Sequence, residues 1–342
     1  MKKQALRRLS AFFLALACAF FVAGCGTEDA AGTREASARV QTNETPPEVI
    51  RVAALKGPTA MGMVKLMRDA EDGASSQNYE FTLGVIDEIV PRITSGQADI
   101  AALPANLAAV LHNNTEGAVR VLAVNTLGVL YVVEKGEAVH SVADLAGRTI
   151  LSAGKGATPE YALEYVLARN GLDPQSDLRV EYHSEAAEIL PLLKQSADGI
   201  ALLPQPFVVS ALRNVEGLRV ALDLTAEWER VSEDGSELVT GVLVVRREFA
   251  EAHPRALDAF LAAYAASTAF ANEDTEGAAA LIGAYGIVDA AIAREALPRC
   301  NITCVAGEEM RRMLSGYLAA LYAQNPQTVG GKLPDEAFYL AP

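Results

Sequence analysis

The chain has 342 residues, with 29 Lys and Arg against 43 Asp and Glu, so its formal charge is −14. Hydrophobic residues make up 51% and charged residues 21%, which excludes a wholly disordered chain. The length is enough for about two domains. The acidic balance argues against a nucleic-acid partner, because proteins that bind phosphate backbones carry a basic face.

The first 24 residues have the layout of a secretory signal peptide. The first eight, MKKQALRR, carry four positive charges, and the apolar run Leu9–Gly24 follows, broken only by Ser10. That run is shorter than the roughly 20 apolar residues of a spanning helix. It ends in VAGC, which resembles the bacterial lipoprotein signal, in which cleavage precedes the cysteine and the thiol is lipidated. Cys25 is therefore the expected lipidation site; the alternative is a plain secretory signal with an incidental cysteine.

Residues 25–48 are small and polar, lack apolar periodicity and contain Pro46–Pro47, which is typical of a flexible tether. Removal of residues 1–24 takes away four positive charges and changes the formal charge from −14 to −18. No later run is long and apolar enough to span a membrane. We expect an extracytoplasmic, lipid-anchored protein, in a compartment that permits disulfides. Cys300 and Cys304 form either a local disulfide or two buried thiols, and no metal site is expected.

Short β-branched runs alternate with helical patterns through residues 49–342. This alternation predicts an α/β fold with helices on both faces of the sheets. The predicted strands cover residues 49–55, 79–85, 99–103, 119–124, 128–134, 148–152, 178–183, 199–203, 218–223 and 239–245. The helical patterns include residues 60–70, 159–170, 254–271 and 308–324; we expect the apolar faces of the last two to pack in the core.

One pattern occurs twice, about 100 residues apart. Lys56–Thr59 (KGPT) follows the first predicted strand, and Lys155–Thr158 (KGAT) follows the strand at 148–152. Downstream, Ile100–Pro104 (IAALP) matches Ile200–Pro204 (IALLP). The order and near-equal spacing predict two similar α/β lobes. Because ligands bind beyond the carboxyl ends of strands in open α/β sheets, the paired loops should face each other across a cleft.

The segments VIRVAALKGPTA, SVADLAGRTI and ALLPQPFVV, together with the VAGC signal, resemble extracytoplasmic substrate-binding proteins of ABC importers. The resemblance is to the nitrate, sulfonate, taurine and thiamine-precursor group. It implies the type II periplasmic-binding-protein fold, whose two lobes close on a small solute and deliver it to permease and ATPase subunits. It also implies a first lobe at 49–133 plus 240–342, a second lobe at 134–239, and crossings near 134–136 and 239–241. We expect a monomer without cofactors.

Thr59 and Thr158 are the leading candidates for solute contact. Their hydroxyls, with the free N–H groups of a first helical turn, can bind a polar or anionic head group; the alternative is that they only cap the helices. Gly57 and Gly156 would let the backbone approach the solute closely.

Further candidates lie in the same or equivalent loops. Lys56 and Lys155 could neutralise an acidic solute, although we favour solvated surface charges. Asn106 and Gln205 stand at equivalent helix starts and offer both donors and acceptors. Gly128 and Thr240, where strands leave the first lobe, complete the predicted ligand-binding set.

No catalytic motif occurs in the sequence. The four histidines do not have metal-ligand spacing, and neither a G-x-S-x-G elbow nor a phosphate-binding loop is found. We therefore expect a binding protein without catalysis. Two alternatives stay open. One is a biosynthetic enzyme of the same fold, which the export signal disfavours. The other is a lipid-anchored solute sensor without transport.

Overall fold

The structure is a computed structural model that describes residues 46–232 and 236–340. The predicted signal peptide, Cys25 and most of the predicted tether lie outside the described residues. The strands are β1 (Ile50–Leu55), β2 (Tyr79–Gly84), β3 (Ile100–Pro104), β4 (Val119–Thr126), β5 (Leu130–Lys135), β6 (Thr149–Ala153), β7 (Arg179–His183), β8 (Ile200–Pro204), β9 (Leu218–Asp223), β10 (Gly241–Arg246) and β11 (Ile302–Val305).

The α-helices are α1 (Pro58–Met61), α2 (Val64–Glu71), α3 (Ile86–Thr94), α4 (Ala105–Asn114), α5 (Thr158–Arg169), α6 (Ala186–Gln195), α7 (Phe207–Asn214), α8 (Leu224–Val231), α9 (Arg247–Ala252), α10 (Pro254–Glu273), α11 (Thr275–Ala284), α12 (Ala290–Ala296) and α13 (Gly307–Gln324). Short 3₁₀ helices cover Val142–Leu145, Leu297–Arg299, Pro326–Val329 and Glu336–Phe338. All ten predicted strands are confirmed within a few residues. The short β11 was not predicted, and the helical pattern at 60–70 is divided between α1 and α2.

The strands form two sheets with the same wiring. The first has the order β11-β4-β10-β3-β1-β2 and the second the order β7-β6-β8-β5-β9. In each sheet the first strand lies parallel between two neighbours, β1 between β2 and β3, and β6 between β7 and β8. The strand that arrives from the other lobe pairs antiparallel, β10 with β3 and β5 with β8. The internal repeat in the sequence therefore corresponds to two lobes of equivalent topology.

The first crossing between the lobes lies earlier in the chain than predicted. β5 pairs with β8 and β9, so residues 130–133 belong to the second sheet and the crossing is at residues 127–129. The predicted crossing at 134–136, and with it the first-lobe boundary at 133, is wrong. An apolar strand buried on both faces carries no sequence signal for which sheet it joins. The chain returns to the first sheet at Gly241, where β10 begins.

Apolar packing continues from one sheet to the other. One cluster of buried side chains includes Val121 and Val242 of the first sheet and Val132 and Leu202 of the second. The C-terminal helix α13 contributes to the same cluster. The apolar face predicted for α10 is also internal, since Leu257, Phe260 and Tyr264 are buried. No helix in residues 46–232 and 236–340 is long and apolar enough to cross a membrane.

The two cysteines of the described chain are free thiols and not a disulfide. They pack in different apolar clusters, Cys300 beside Val209 and Met61, and Cys304 against the cluster that contains Tyr264. The Cys300 thiol donates a hydrogen bond to the Ala296 carbonyl at 3.3 Å. Burial raises the pKa of Cys300 to about 12 and that of Cys304 to about 11. The structure therefore supports two thiols held in the protein interior.

Candidate functional site: the junction between the lobes

Four loops that leave parallel strands at their carboxyl ends meet where the lobes meet. β1 and β3 are followed by α1 and α4, and β6 and β8 are followed by α5 and α7. Because the strands of each pair are parallel neighbours, each pair of loops lies at one edge of its sheet. Hydrogen bonds then join the two edges. The Asn106 amide donates to the Gly156 carbonyl at 3.3 Å, and the Thr158 hydroxyl lies 3.4 Å from Asn106 Oδ1.

The two copies of the repeated tetrapeptide border adjacent residues of the returning chain. The Thr158 hydroxyl lies 3.5 Å from the Thr240 carbonyl. On the other side, a Cβ atom added to Gly241 would lie 2.7 Å from the Thr59 methyl group. The Asn125 amide also donates to the Thr59 carbonyl at 3.2 Å. Thr59 and Thr158 are thus brought to one place, as the repeat predicted, although their role in binding stays a prediction.

The two threonines use their hydroxyls differently. Thr59 donates to the Leu55 carbonyl at 3.0 Å, within its own lobe, whereas the Thr158 hydroxyl contacts residues of the opposite lobe and of the crossing. The N-cap residues are Gly57 and Ala157, and the two threonines stand inside the first turn with hydroxyls that contact other groups, so neither threonine is the N-cap of its helix. The glycines of the tetrapeptides are required by the backbone, because Gly57 has φ 137° and Gly156 has φ 77°.

The lysines of the tetrapeptides are surface residues. Both Lys56 and Lys155 are exposed. The Lys155 ammonium lies 5.8 Å from the ring centroid of Tyr182, on β7 of its own lobe. The structure therefore supports the solvated-charge interpretation that the sequence favoured.

Gln205 and Thr240 each bury a polar atom without a hydrogen-bond partner. Gln205 is almost fully buried and its backbone N–H donates to the Val129 carbonyl at 2.9 Å, but its Oε1 has no partner. The Thr240 backbone N–H donates to the Thr126 carbonyl, and its carbonyl accepts from the Ala105 N–H. The Thr240 hydroxyl has no hydrogen-bond partner. Buried polar atoms are normally satisfied, so these two stand out among the predicted site residues.

Gly128 lies in the first crossing. Its carbonyl accepts a hydrogen bond from the Asn301 amide at 2.5 Å. A Cβ atom at this position would fall inside the Thr225 side chain. The Thr225 hydroxyl is also buried without a partner. Gly128 therefore serves to let Thr225 of α8 approach the crossing.

The C-terminal helix supplies a contact that sequence reasoning missed. The Tyr317 hydroxyl of α13 donates to Thr158 Oγ1 at 3.4 Å, and burial raises the Tyr317 pKa. The ring of Trp228 lies between Tyr165, stacked at a centroid distance of 4.0 Å, and Tyr317 at 5.5 Å. The pattern of α13 gave only an apolar face, and nothing local indicated a partner 159 residues away.

The junction is built from neutral side chains. The polar residues that meet there are Thr59, Asn106, Asn125, Thr126, Thr158, Gln205, Thr240 and Tyr317. This set offers hydroxyl and amide donors and no full positive charge. Among the described residues there is also no group of three or more His, Cys, Asp or Glu side chains that could hold a metal.

Comparison with known proteins decides the family. Residues 80–294 match the family model described as ABC transporter, phosphonate, periplasmic substrate-binding protein. The chain belongs to this family. This binding protein is therefore an extracytoplasmic solute-binding component of an ABC importer and not an enzyme. No protein of the curated set matches the chain.

Solved structures agree on the fold. An ABC transporter protein from Parabacteroides distasonis has a TM-score of 0.71 at 23% identity, with 86% of this chain and 99% of that chain covered. The periplasmic aliphatic sulphonate binding protein SsuA from Escherichia coli has a TM-score of 0.67 at 17% identity, covering 85% and 93%. The nitrate-binding protein NrtA from Synechocystis has a TM-score of 0.53 at 14% identity, covering 69% and 66%. The predicted two-lobed type II fold of the binding protein is confirmed.

Proposed function

We propose that the binding protein captures a small solute carrying at most one negative charge, of the sulfonate, oxyanion, carboxylate or polar-neutral class. One observation supports this most directly: the polar groups that meet at the junction are neutral. Moving a dianion from water into a buried site costs far more than moving a monoanion, and full positive charges usually offset that cost. Among the described residues that meet at the junction, hydroxyls, amides and the start of α4 are available for that purpose. The start of α5 contributes less, because the Gly156 N–H already donates to the Glu160 carboxylate, which adds a negative charge there.

The proposed contacts are the unpaired donors and acceptors of both lobes. Gln205 comes from the second lobe and Thr240 from the returning crossing, and Thr158 and Asn106 lie beside them. Thr59 borders the site, but its hydroxyl is bound to the Leu55 carbonyl. A solute that satisfied these groups would bind residues from both lobes. Binding would therefore favour the arrangement in which the lobes are in contact.

We also propose that the mature protein is held at the membrane by lipid on Cys25. The basic start, the apolar run and the VAGC sequence at residues 22–25 support this proposal. The solute-loaded protein would then deliver its cargo to the permease while remaining near the membrane.

The function is tested with two solutes of nearly the same shape and different charge. Methanesulfonate is a monoanion, whereas methylphosphonate is a dianion at moderately alkaline pH. Nitrate and acetate extend the series. Trp228 is the only tryptophan of the chain and lies between Tyr165 and Tyr317, so its fluorescence reports changes at the junction. The chain starting at residue 26 is titrated with each solute, and thermal unfolding is followed in parallel.

We expect saturable binding of a monoanion and a dissociation constant for methylphosphonate at least about tenfold higher than for methanesulfonate. A bound solute at about 100 times its dissociation constant adds about 2.7 kcal/mol to the free energy of unfolding, which raises the melting temperature. Tighter binding of methylphosphonate would contradict the charge limit. A series without any binding would contradict the anionic members of the proposed solute class.

A further inference from the structure

A second contact between the lobes lies outside the proposed solute site. Helix α7 of the second lobe meets helix α12, which follows β10 of the first lobe. Arg213 of α7 donates through Nε to Glu295 Oε2 of α12 at 2.9 Å, and its Nη2 lies 2.8 Å from the same oxygen. The two residues are 82 positions apart. α7 packs on β8 and β9 of the second sheet, whereas α12 packs on α11 of the first lobe.

The same face of α7 carries an apolar anchor. Val209 lies four residues before Arg213, on the same side of the helix. It is 1% exposed and belongs to a cluster whose other buried members are all in the first lobe, including Ala293 and Ala296 of α12. One turn of α7 thus inserts an apolar side chain into the first lobe beside an ion pair.

This cluster also reaches the helix that carries Thr59. Met61, the last residue of α1, is fully buried in it, as is Val64 of α2. α7 itself follows Gln205 and begins at Phe207. The contact therefore connects two segments that border the proposed solute site, although its own side chains are not among the polar groups that meet there.

We propose that Val209, Arg213 and Glu295 form a latch that holds the lobes together and sets solute affinity without touching the solute. They are positioning residues. Apparent affinity falls in proportion to the fraction of protein that is competent to bind, so a weaker latch raises the dissociation constant. It does so mainly by raising the dissociation rate, because a bound solute leaves only when the latch has opened. The affinity part of this inference rests on the proposed function.

The chain offers a matched control for the ion pair. Arg294 is the neighbour of Glu295 on α12 and pairs with Glu276 of α11 at 3.3 Å, entirely within the first lobe. Three variants are compared: Arg213→Glu, Arg294→Glu, and Arg213→Glu combined with Glu295→Arg, in which the charges are exchanged. All these side chains are substantially exposed, so folding should be retained.

The first readout is methanesulfonate binding, followed by Trp228 fluorescence in equilibrium and stopped-flow titrations. We expect Arg213→Glu to raise the dissociation constant by about fivefold through the dissociation rate, Arg294→Glu to leave it unchanged, and the charge exchange to restore it. An equal effect of Arg213→Glu and Arg294→Glu, or no recovery in the exchanged pair, would overturn the latch.

The second readout needs no solute. Spin labels are attached through Glu216→Cys in the second lobe and Glu273→Cys in the first, both at exposed positions. Cys300 is buried and Cys304 is half-buried, and the pKa values of both thiols are raised, so we expect the label to react with the two exposed cysteines first. Arg213→Glu should shift the measured distances towards longer values, and the charge exchange should reverse the shift. If methanesulfonate does not bind but the distances shift, the solute class is wrong and the latch stands. Unchanged distances overturn the latch.

Discussion

The two threonines of the repeat differ in what their hydroxyls do, and this difference predicts different consequences of the same substitution. Valine replaces the hydroxyl by a methyl group of similar size. At Thr158 the change removes the acceptor of Tyr317 and the partner of Asn106, which belong to the other lobe. At Thr59 it removes only a bond to Leu55 within the lobe. We expect Thr158→Val to weaken methanesulfonate binding by about tenfold. The reason is that the change leaves buried hydrogen-bond partners unpaired, which costs about 1–3 kcal/mol.

Thr59→Val is the control for this prediction. It should reduce the free energy of unfolding by about 0.5–1.5 kcal/mol, the ordinary value of one hydrogen bond, and change the dissociation constant by less than about threefold. Titration by Trp228 fluorescence and urea unfolding of both variants separate affinity from stability. Equal losses of affinity in the two variants would show that the Thr59 hydroxyl contributes as much to solute binding as the Thr158 hydroxyl. That result would contradict the prediction drawn from their different hydrogen bonds.

At the scale of elements, the start of β10 fixes the distance between the returning chain and α1. Gly241 pairs with Pro104 of β3 and Thr126 of β4, and a Cβ atom there would lie 2.6 Å from Asn125 Oδ1 and 2.7 Å from Thr59 Cγ2. Gly241→Ala should therefore displace α1 and cost about 1–3 kcal/mol of unfolding free energy, as overpacking does. The solute affinity should fall with it, because α1 borders the proposed site.

A second substitution tests whether the contact with Thr59 is the cause. Thr59→Ser removes the methyl group that the new Cβ would meet and keeps the hydroxyl. In the double variant, part of the stability lost in Gly241→Ala should return, so the two effects on the free energy of unfolding are not additive. Urea unfolding of the two single variants and the double variant measures this. Strict additivity would mean that the Thr59 methyl does not limit the approach of β10.

Elements also show how far the sequence alone predicts this molecule. The repeat of K-G-x-T and L-P predicted two lobes of equal topology, and it predicted which loops meet at the junction. Both predictions were possible because the signals for strands, turns and helices are local in the sequence. The sheet of β5 was assigned wrongly, because the apolar run at residues 128–134 is equally compatible with either sheet. Tyr317 and the α7–α12 contact were not predicted, since only tertiary packing brings α13 to Thr158 and Arg213 to Glu295.

For the whole molecule, the proposed function combines two properties: lobes that close on a solute, and a membrane anchor that keeps the protein near its permease. A flexible tether over residues 25–48 would have a root-mean-square length of roughly 25–30 Å. The mature formal charge of −18 gives no attraction to an anionic membrane surface. Retention at the membrane must then come from the lipid on Cys25, whose buried hydrocarbon supplies the binding free energy.

Cys25→Ser should therefore release the protein from the membrane without changing solute binding. Cys18→Ser is the matched control, because Cys18 lies in the same apolar run and is not preceded by the VAG sequence that precedes Cys25. In phase separation with a nonionic detergent, we expect the unchanged chain and Cys18→Ser in the detergent phase and Cys25→Ser in the aqueous phase. The Cys25→Ser protein should show the same fluorescence titration as the anchored one. An aqueous unchanged chain would contradict the anchor. So would detergent partition of a Cys25→Ser protein from which residues 1–24 have been removed, whereas an uncleaved chain could be held by its apolar run Leu9–Gly24.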